Sequence, residues 1–449
     1  WYMPKCTEKM MVLIPVVITL HALRKRNSII RQLLLALVLA SISIATAIEV
    51  SPDDTTWRSS VEAAPAGTTI SFLAGVYVGC NIAIPTGVTL AAKDSLSCPP
   101  GSASSMNCTA NVTIDCKSNA RHFTLADGVK DVQFRGISLA NGRAFGGSAS
   151  APAGGGCVLM GQNASLTLFN VRIRNCQAQG RGGAISIGSG STLVVKNTVI
   201  AENSADLDGG GIYLYRSRME AHNSSISTNI ALYNGGGIYL DASSLSAVAS
   251  LIFANVAIRG GAVMAVSTSS ISLGTSSVNG NIARFHGGAF YVDRSSLAAS
   301  RSTINGNTAA THGGGLFVAA SLFVHLIEGC SVDGNLAVNG GGGGIYSITS
   351  SSVSAINSSI SSNIAKTFGG GAFLQRSSLT VSSSKIHLNI GGSTGGGVSA
   401  FSLSTIMLAD GASINKNSAP YGGGAFLQES TLTVKRSSIN GNRAIDGGG

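Results

Sequence analysis

Apolar residues in this chain alternate with small or polar ones over short runs, and the runs themselves return about every 27 residues. The phrase is clearest over residues 235–257, GGGIYLDASSLSAVASLIFANVA: a Gly pair, an aliphatic–aromatic–aliphatic run, Ser-x-Leu-x-Ala, then Ile three residues before an Asn. Counted at Gly156, Gly183, Gly211, Gly237, Gly261, Gly288, Gly315, Gly344, Gly371, Gly397 and Gly424, the steps are 27, 28, 26, 24, 27, 27, 29, 27, 26 and 27 residues. A period of this size marks stacked structural units. Within each unit the apolar period is 2, which predicts strands and excludes helices. Three strands per unit follow: one after the Gly pair, one carrying Leu-x-Val/Ala, and one carrying Ile or Val before Asn. None is long enough to bury its apolar side alone. Stacking at the strand spacing of about 4.8 Å makes three parallel sheets around one core, roughly 53 Å long for eleven units. The predicted fold class is all-β, a solenoid of stacked parallel strands.

The non-apolar positions of the repeat have structural roles in such a stack. Asn203, Asn229, Asn255, Asn281, Asn307, Asn335, Asn363, Asn389 and Asn417 recur at one place, with Asn175 and Asn442 extending the series. An amide carries both donors and an acceptor, so stacked asparagines can bond to one another and to turn backbone as a ladder. The glycines suit positive φ or close backbone approach at a corner. Cys330 stands where most repeats have Ser (Ser224, Ser250, Ser276, Ser302, Ser358) and reads as a small residue in a ladder. With 11% charged residues the chain is not of the disordered type. Its 58 glycines cluster in pairs and triplets, which excludes collagen.

Residues 1–47 read as a signal peptide or leader. Arg24, Lys25, Arg26 and Arg31 precede LLLALVLASISIA, and Ala45-Thr46-Ala47 offers a cleavage site. A second apolar stretch at residues 10–23 allows an uncleaved anchor instead. Residues 48–154 read as an N-terminal cap with irregular first coils, in which Trp57 sits on a short capping helix. Residues 155–449 form the regular repeat, which ends inside a unit, so the sequence is read as a fragment at both ends. The leader holds six basic and one acidic residue, so it supplies +5 of the formal +10 charge. No basic run or basic–aromatic strip remains to suggest nucleic acid. Cys80, Cys98, Cys108, Cys116, Cys157 and Cys176 cluster early, as disulfides in an exported protein would, with connectivity open among 15 possibilities. Asn107, Asn111, Asn163, Asn223 and Asn357 lie in Asn-x-Ser/Thr sequons and are glycosylation candidates.

The pairing of Gly-Gly-Ala/Ile-aromatic with apolar-x-x-Asn resembles the repeats of polymorphic outer membrane proteins and, more widely, the pectin-lyase-like right-handed β-helix proteins. The resemblance covers residues 155–449. It implies the fold, an all-β right-handed parallel β-helix solenoid of about 14 coils, and leaves function open, because that group includes adhesins, lyases and glycoside hydrolases. Ile or Val stands where the chlamydial repeats favour Phe, Arg172 interrupts one apolar position, and a C-terminal transporter barrel is missing.

Candidate chemistry is sparse. A hydrolase of this group needs two carboxylates about 5–9.5 Å apart. Asp206 with Asp208, and Asp241 with Asp293, are the pairs available, and solvated turn residues explain them better. His286 and His312 precede Gly pairs in successive coils, about 5 Å apart on the stacking distance, and read as surface histidines rather than metal ligands. No catalytic residue, metal or cofactor is assigned. The aromatic place after the Gly pair, held by Tyr213, Tyr239, Phe290, Phe317, Tyr346, Phe373 and Phe426, is the functional candidate. If its aliphatic neighbours fill the core, period 2 turns the aromatics outward as a binding strip. The expected function is an exported, non-catalytic β-helix that recognises an extracellular glycan or cell-surface protein; a polysaccharide-active lyase or glycosidase and a structural spacer are the alternatives. Membrane attachment is expected only through a missing C-terminal region or an uncleaved N-terminal anchor.

Overall fold

A computed structural model describes residues 47–93, 111–148, 151–321 and 323–446. The leader, Cys98, Cys108 and Asn107 lie outside the described residues. The repeat coils the chain into a parallel β-helix of about fourteen turns. One representative turn runs through strands Ile238–Asp241, Ser244–Val248, Leu251–Phe253 and Val256–Arg259. Each pairs in parallel with its counterparts before and after, giving a first sheet of 13 strands, a second of 15, a third of 14 and a fourth of 12.

Four strands per turn correct the expected three. The Asn-x-Ala segment is itself a strand, in most turns of two residues, such as Ser204–Ala205 and Thr308–Ala309. A two-residue strand shows no alternation to read in a sequence. Its Ala points inward: Ala178, Ala205, Ala231, Ala257, Ala283 and Ala309 are all buried. Along the second strand the alternation is kept: Leu245 and Ala247 are buried and their neighbours are not. One apolar core runs unbroken from Val50 to Ile414.

Three inner corners are closed by side-chain ladders. Asn203 donates Nδ2–H to Oδ1 of Asn229 (2.9 Å) and its backbone N–H to the same oxygen (3.1 Å). Its second Nδ2 hydrogen goes to the carbonyl of Ile173 (3.2 Å). The pattern repeats through Asn229, Asn255, Asn281, Asn307, Asn335, Asn363, Asn389 and Asn417 to Asn442. Each amide is thereby satisfied in a corner that water does not reach. Asn175 is not part of the series: Cys176 holds the ladder position and donates its N–H to Asn203 Oδ1 (2.9 Å), while Asn175 takes the positive-φ turn place before it. A serine ladder runs Ser217–Ser243–Ser269–Ser295–Ser321. A second runs Ser224–Ser250–Ser276–Ser302, where Ser302 N–H meets Cys330 Sγ at 3.5 Å, so the thiol does replace a hydroxyl.

The glycine count also needs correction. The positive-φ corner glycines are Gly155, Gly182, Gly209, Gly235, Gly260, Gly287, Gly313, Gly342, Gly369, Gly395 and Gly422, at steps of 25 to 29 residues. The next glycine in each turn has no room for a side chain: a Cβ on Gly314 would lie 2.4 Å from the Gly343 carbonyl oxygen. Some turns carry a third Gly and others an Ala (Ala262, Ala289) after this pair. Counting from the last Gly therefore slipped by one residue in turns such as 287–289.

At the N-terminal end, helix α1 (Trp57–Glu62) buries Trp57 and Val61 on the first coils. Trp57 meets Phe72 and Tyr77 edge-on at 5.7 and 5.9 Å, and the Tyr77 hydroxyl donates to the Val50 and Leu73 carbonyls. Among the described residues no helix is long and apolar enough to cross a membrane.

Candidate functional site

Register on the first sheet decides where the aromatic residues point. Ile212, Ile238, Val263, Phe290, Leu316 and Ile345 are paired partners, and all are fully buried. Phe290 is thus a core residue, which corrects its place in the expected strip; the one-residue slip at Gly287–Gly288 put it there. The outward column is Tyr213, Tyr239, Met264, Tyr291, Phe317, Tyr346, Phe373, Ser399 and Phe426. Tyr291 was hidden by the same slip. Met264 carries no aromatic signal, yet it fills the same place between Tyr239 and Tyr291.

Facing outward does not leave these rings free. Tyr213, Phe317 and Phe373 are only 8%, 5% and 7% exposed. Two things cover them. The first is stacking: Tyr213–Tyr239, Tyr291–Phe317, Phe317–Tyr346 and Tyr346–Phe373 lie at 5.5, 4.8, 5.3 and 4.5 Å with interplanar angles of 18°, 8°, 13° and 8°. Where Ser399 leaves a gap, Phe401 leans across it to Phe373 (5.5 Å) and Phe426 (5.6 Å). The second is the corner after the fourth strand. His286 stacks on Phe317 (4.7 Å), His312 on Tyr346 (4.4 Å), and Phe368 approaches Phe373 (6.0 Å).

The two histidines that the sequence places in successive coils are indeed neighbours, stacked at 5.4 Å. Their Nδ1 atoms are engaged, His286 with the Thr311 hydroxyl (2.7 Å) and His312 as acceptor from the Gly341 N–H (3.0 Å). Burial, then His312 and Arg259, push His286 down to about 4, and burial lowers His312 as well. Both rings are neutral packing groups at neutral pH.

The stack has an open N-terminal end. In the register before Tyr213 stand Ser186 and Leu159, so no ring covers that side. A groove of about 470 Å³ forms there, lined by Leu159, Ser186, Gly188, Arg181, Tyr213, Tyr215 and Asp241 among others. The Arg181 guanidinium lies 5.1 Å from the Tyr213 ring centre and pairs with Asp208 at 3.3 Å. Asp208 is nearly buried and also accepts from Asn234 Nδ2 (2.9 Å), which fixes the arginine's base. Burial raises the Tyr213 phenol, against the opposing pull of Arg181, so the hydroxyl stays protonated. Phenol, guanidinium and the Asp241 carboxylate offer hydrogen-bond donors and acceptors beside an aromatic ring. Arg181 and Tyr215 have no repeat signature, and their role emerges only when adjacent coils are superposed.

Asp208 is committed to Arg181 and Asn234, whereas Asp293 pairs with Arg294 at 3.2 Å. Asp241 and Asp293 belong to strands two turns apart, with Val266 between them. Asn111, Asn163, Asn223 and Asn357 are exposed, and Asn223 Nδ2 donates to Asn197 Oδ1 (2.7 Å). Of the early cysteines, Cys157 and Cys176 are joined, with Cα atoms 5.6 Å apart, while Cys80 and Cys116 are thiols.

A family model described as the right handed beta helix region matches residues 103–250 and 156–325. The chain is accordingly a right-handed parallel β-helix. Similar solved structures include a mutant form of the periplasmic alginate epimerase AlgG, at 10% identity, covering 87% of this chain and 84% of that one with a TM-score of 0.41. PfbA, a surface adhesin of Streptococcus pneumoniae, matches at 12% identity over 88% and 92% with a TM-score of 0.37. The catalytic unit of a GH87 α-1,3-glucanase from Streptomyces thermodiastaticus matches at 12% over 88% and 69%, TM-score 0.41. No curated protein sequence matches the chain significantly.

Proposed function

We propose that this β-helix is an exported or cell-surface recognition protein whose groove at Tyr213 binds an extracellular glycan without turning it over. One observation carries the reading: the column of rings ends at Tyr213, and beside it at the Ser186 end lies a groove with polar groups around it. A binding site for a sugar needs an apolar surface and a few placed polar groups. Tyr213 and Leu159 supply the first, and Arg181, Tyr215 and Asp241 the second. The middle of the column is unsuited to ring stacking because both faces of each ring are already occupied by neighbours. The same rings give a rigid floor that holds Tyr213 in place. Against catalysis stand the engagement of Asp208 by Arg181 and Asn234 and the two-turn separation of Asp241 from Asp293. Export is supported by the leader-like segment and the Cys157–Cys176 disulfide, which persists in oxidising compartments.

The test is a binding and turnover measurement on a panel of neutral and acidic glycans. We expect saturable binding with no product, and a tenfold or greater loss on Tyr213→Ser or Arg181→Met with the circular dichroism spectrum unchanged. Product release from any glycan, or full affinity in the well-folded Tyr213→Ser variant, overturns the reading.

A further inference from the structure

The corner that the asparagines close in the regular turns is closed differently at the N-terminal end. Lying where the third strand of each turn passes into the fourth, it holds Asn203 and its successors from that turn onward. One turn earlier Cys176 stands in the Asn position. Cys157 stands in the register of Ala184 and Gly211, the place that faces the asparagine in later turns, where a Cβ on Gly211 would lie 3.2 Å from Asn229. The Cys157–Cys176 disulfide therefore bridges the corner where an amide stands later. In the turn before, His122 and Gly142 occupy these two places: Phe123 pairs with Val158, and Arg143 pairs with Gln177. His122 is fully buried; one ring nitrogen bonds the Ile114 carbonyl (2.9 Å), and the other has no partner.

Before that, in the first two turns, the same corner holds Cys80 and Cys116. Cys80 lies between strands Gly75–Val78 and Ile82–Ala83, and Cys116 directly follows strand Val112–Asp115. Val78 pairs with Asp115, so Gly79 runs beside Cys116, and Cys80 is one residue further along. The sulfurs reach across in both directions: Cys116 Sγ lies 3.1 Å from the Gly79 carbonyl and Cys80 Sγ lies 3.4 Å from the Cys116 carbonyl. Adjacent parallel strands are about 4.8 Å apart, inside the roughly 4.4–6.8 Å between Cα atoms that a disulfide spans.

We propose that Cys80 and Cys116 form a second disulfide, so that the N-terminal end of the corner is sealed by sulfur bridges between adjacent strands in place of the amide ladder. Cys80 is the partly exposed member and Cys116 is fully buried. Burial, followed by the neighbouring Cys80, raises the Cys116 thiol, and the partly exposed Cys80 is the sulfur that an oxidant in solution reaches first. The order of events follows. The Cys80 thiolate attacks a disulfide oxidant such as oxidised glutathione and forms a mixed disulfide, releasing one glutathione thiol. The Cys116 sulfur then displaces the second glutathione, its proton passes to the released thiolate, and the S–S bond forms. Two protein thiols are oxidised and one glutathione disulfide is reduced to two thiols. The bridge would tie coil one, which carries Trp57 and the cap, to coil two.

The full-length chain incubated with oxidised glutathione, alkylated under denaturing conditions and digested without reductant gives the test. We expect mass spectrometry to find one peptide pair joined through Cys80 and Cys116 in addition to Cys157–Cys176. Alkylation of both Cys80 and Cys116, or linkage of either to Cys98 or Cys108, overturns the proposal. A Cys80→Ser variant, altered at the partly exposed member, should leave Cys116 alkylated and melt a few degrees below wild type. That difference should vanish when both proteins are melted in reductant after complete reduction; if it persists there unchanged, the loss is of packing and no bridge existed.

Discussion

From Asn203 to Asn442 the inner corner of the β-helix is closed by ten asparagines in series, each bonded to the next. From Cys80 to Cys176 the same corner holds two thiols, a histidine with one unpartnered nitrogen, a glycine and a disulfide. On the outer face the contrast is parallel: the later turns carry a column of rings interrupted at Met264 and Ser399, and the earlier ones carry Leu159 and Ser186. The regular half spends its polar and aromatic positions on stacking. The irregular half holds individual residues whose roles are local, and the groove opens where the two halves meet. In a solenoid, regularity consumes the positions that recognition would otherwise use.

Removing one rung should show the largest effect. Asn307→Ala strips Oδ1 from the N–H and Nδ2 of Asn281 and a donor from the Val278 carbonyl. Three buried groups left unpaired at about 1–3 kcal/mol each imply a loss of about 3 kcal/mol or more in chemical denaturation. Cys176→Asn would sharpen the contrast, since it extends the ladder by one rung while deleting the disulfide. Second in size is the outer column. Phe317→Ala should cost about 3 kcal/mol through its nearly buried ring, whereas Tyr213→Ser at the open end should cost less stability and more binding.

Acid should act on both halves. His122 and His286 are each lowered to about 4 by burial, from an ordinary 6.5. Between those values the unfolded chain binds more protons than the native one, so stability is complete above pH 6.5 and declines as pH falls toward 4. The pH dependence of the melting midpoint should flatten in His286→Phe, and a slope that survives unchanged would assign the acid sensitivity to His122 and the first coils. The smallest effect is expected from Cys330→Ser, which restores a hydroxyl to the serine ladder at Ser302. A stability change within about 0.5 kcal/mol of wild type is anticipated.

The sheets and the amide ladder are legible in the sequence because each position repeats often enough for chance to be excluded. Leu245, Ile252 and Asn255 have equivalents in nearly every turn. The fourth sheet is not legible, since Ser204–Ala205 is too short to alternate. The outward column is partly legible: six of the seven aromatic residues expected there point outward, and Phe290 does not. A glycine count cannot distinguish Gly-Gly-Gly-Ile from Gly-Gly-Ala-Phe, whereas backbone φ can. The groove is the least legible feature. Arg181, Ser186, Tyr213 and Asp241 come from three turns and meet through register alone.

Every ladder donor in one coil finds its acceptor in the next, and this sets the unit by which such a chain can lengthen. A whole coil inserted between two others inherits acceptors below and donors above, and leaves nothing unpaired. A fraction of a coil would break three ladders and four sheets together. The turn from Gly313 to Gly342 shows the tolerance that remains: it is three residues longer than the one before, with one of the additions beside Gly329 and another before Gly342. Both fall between strands, and Asn307 still meets Asn335. Gene duplication in this fold is therefore quantised, with whole coils as the heritable increment and single residues at corners as the only small change that stacking permits.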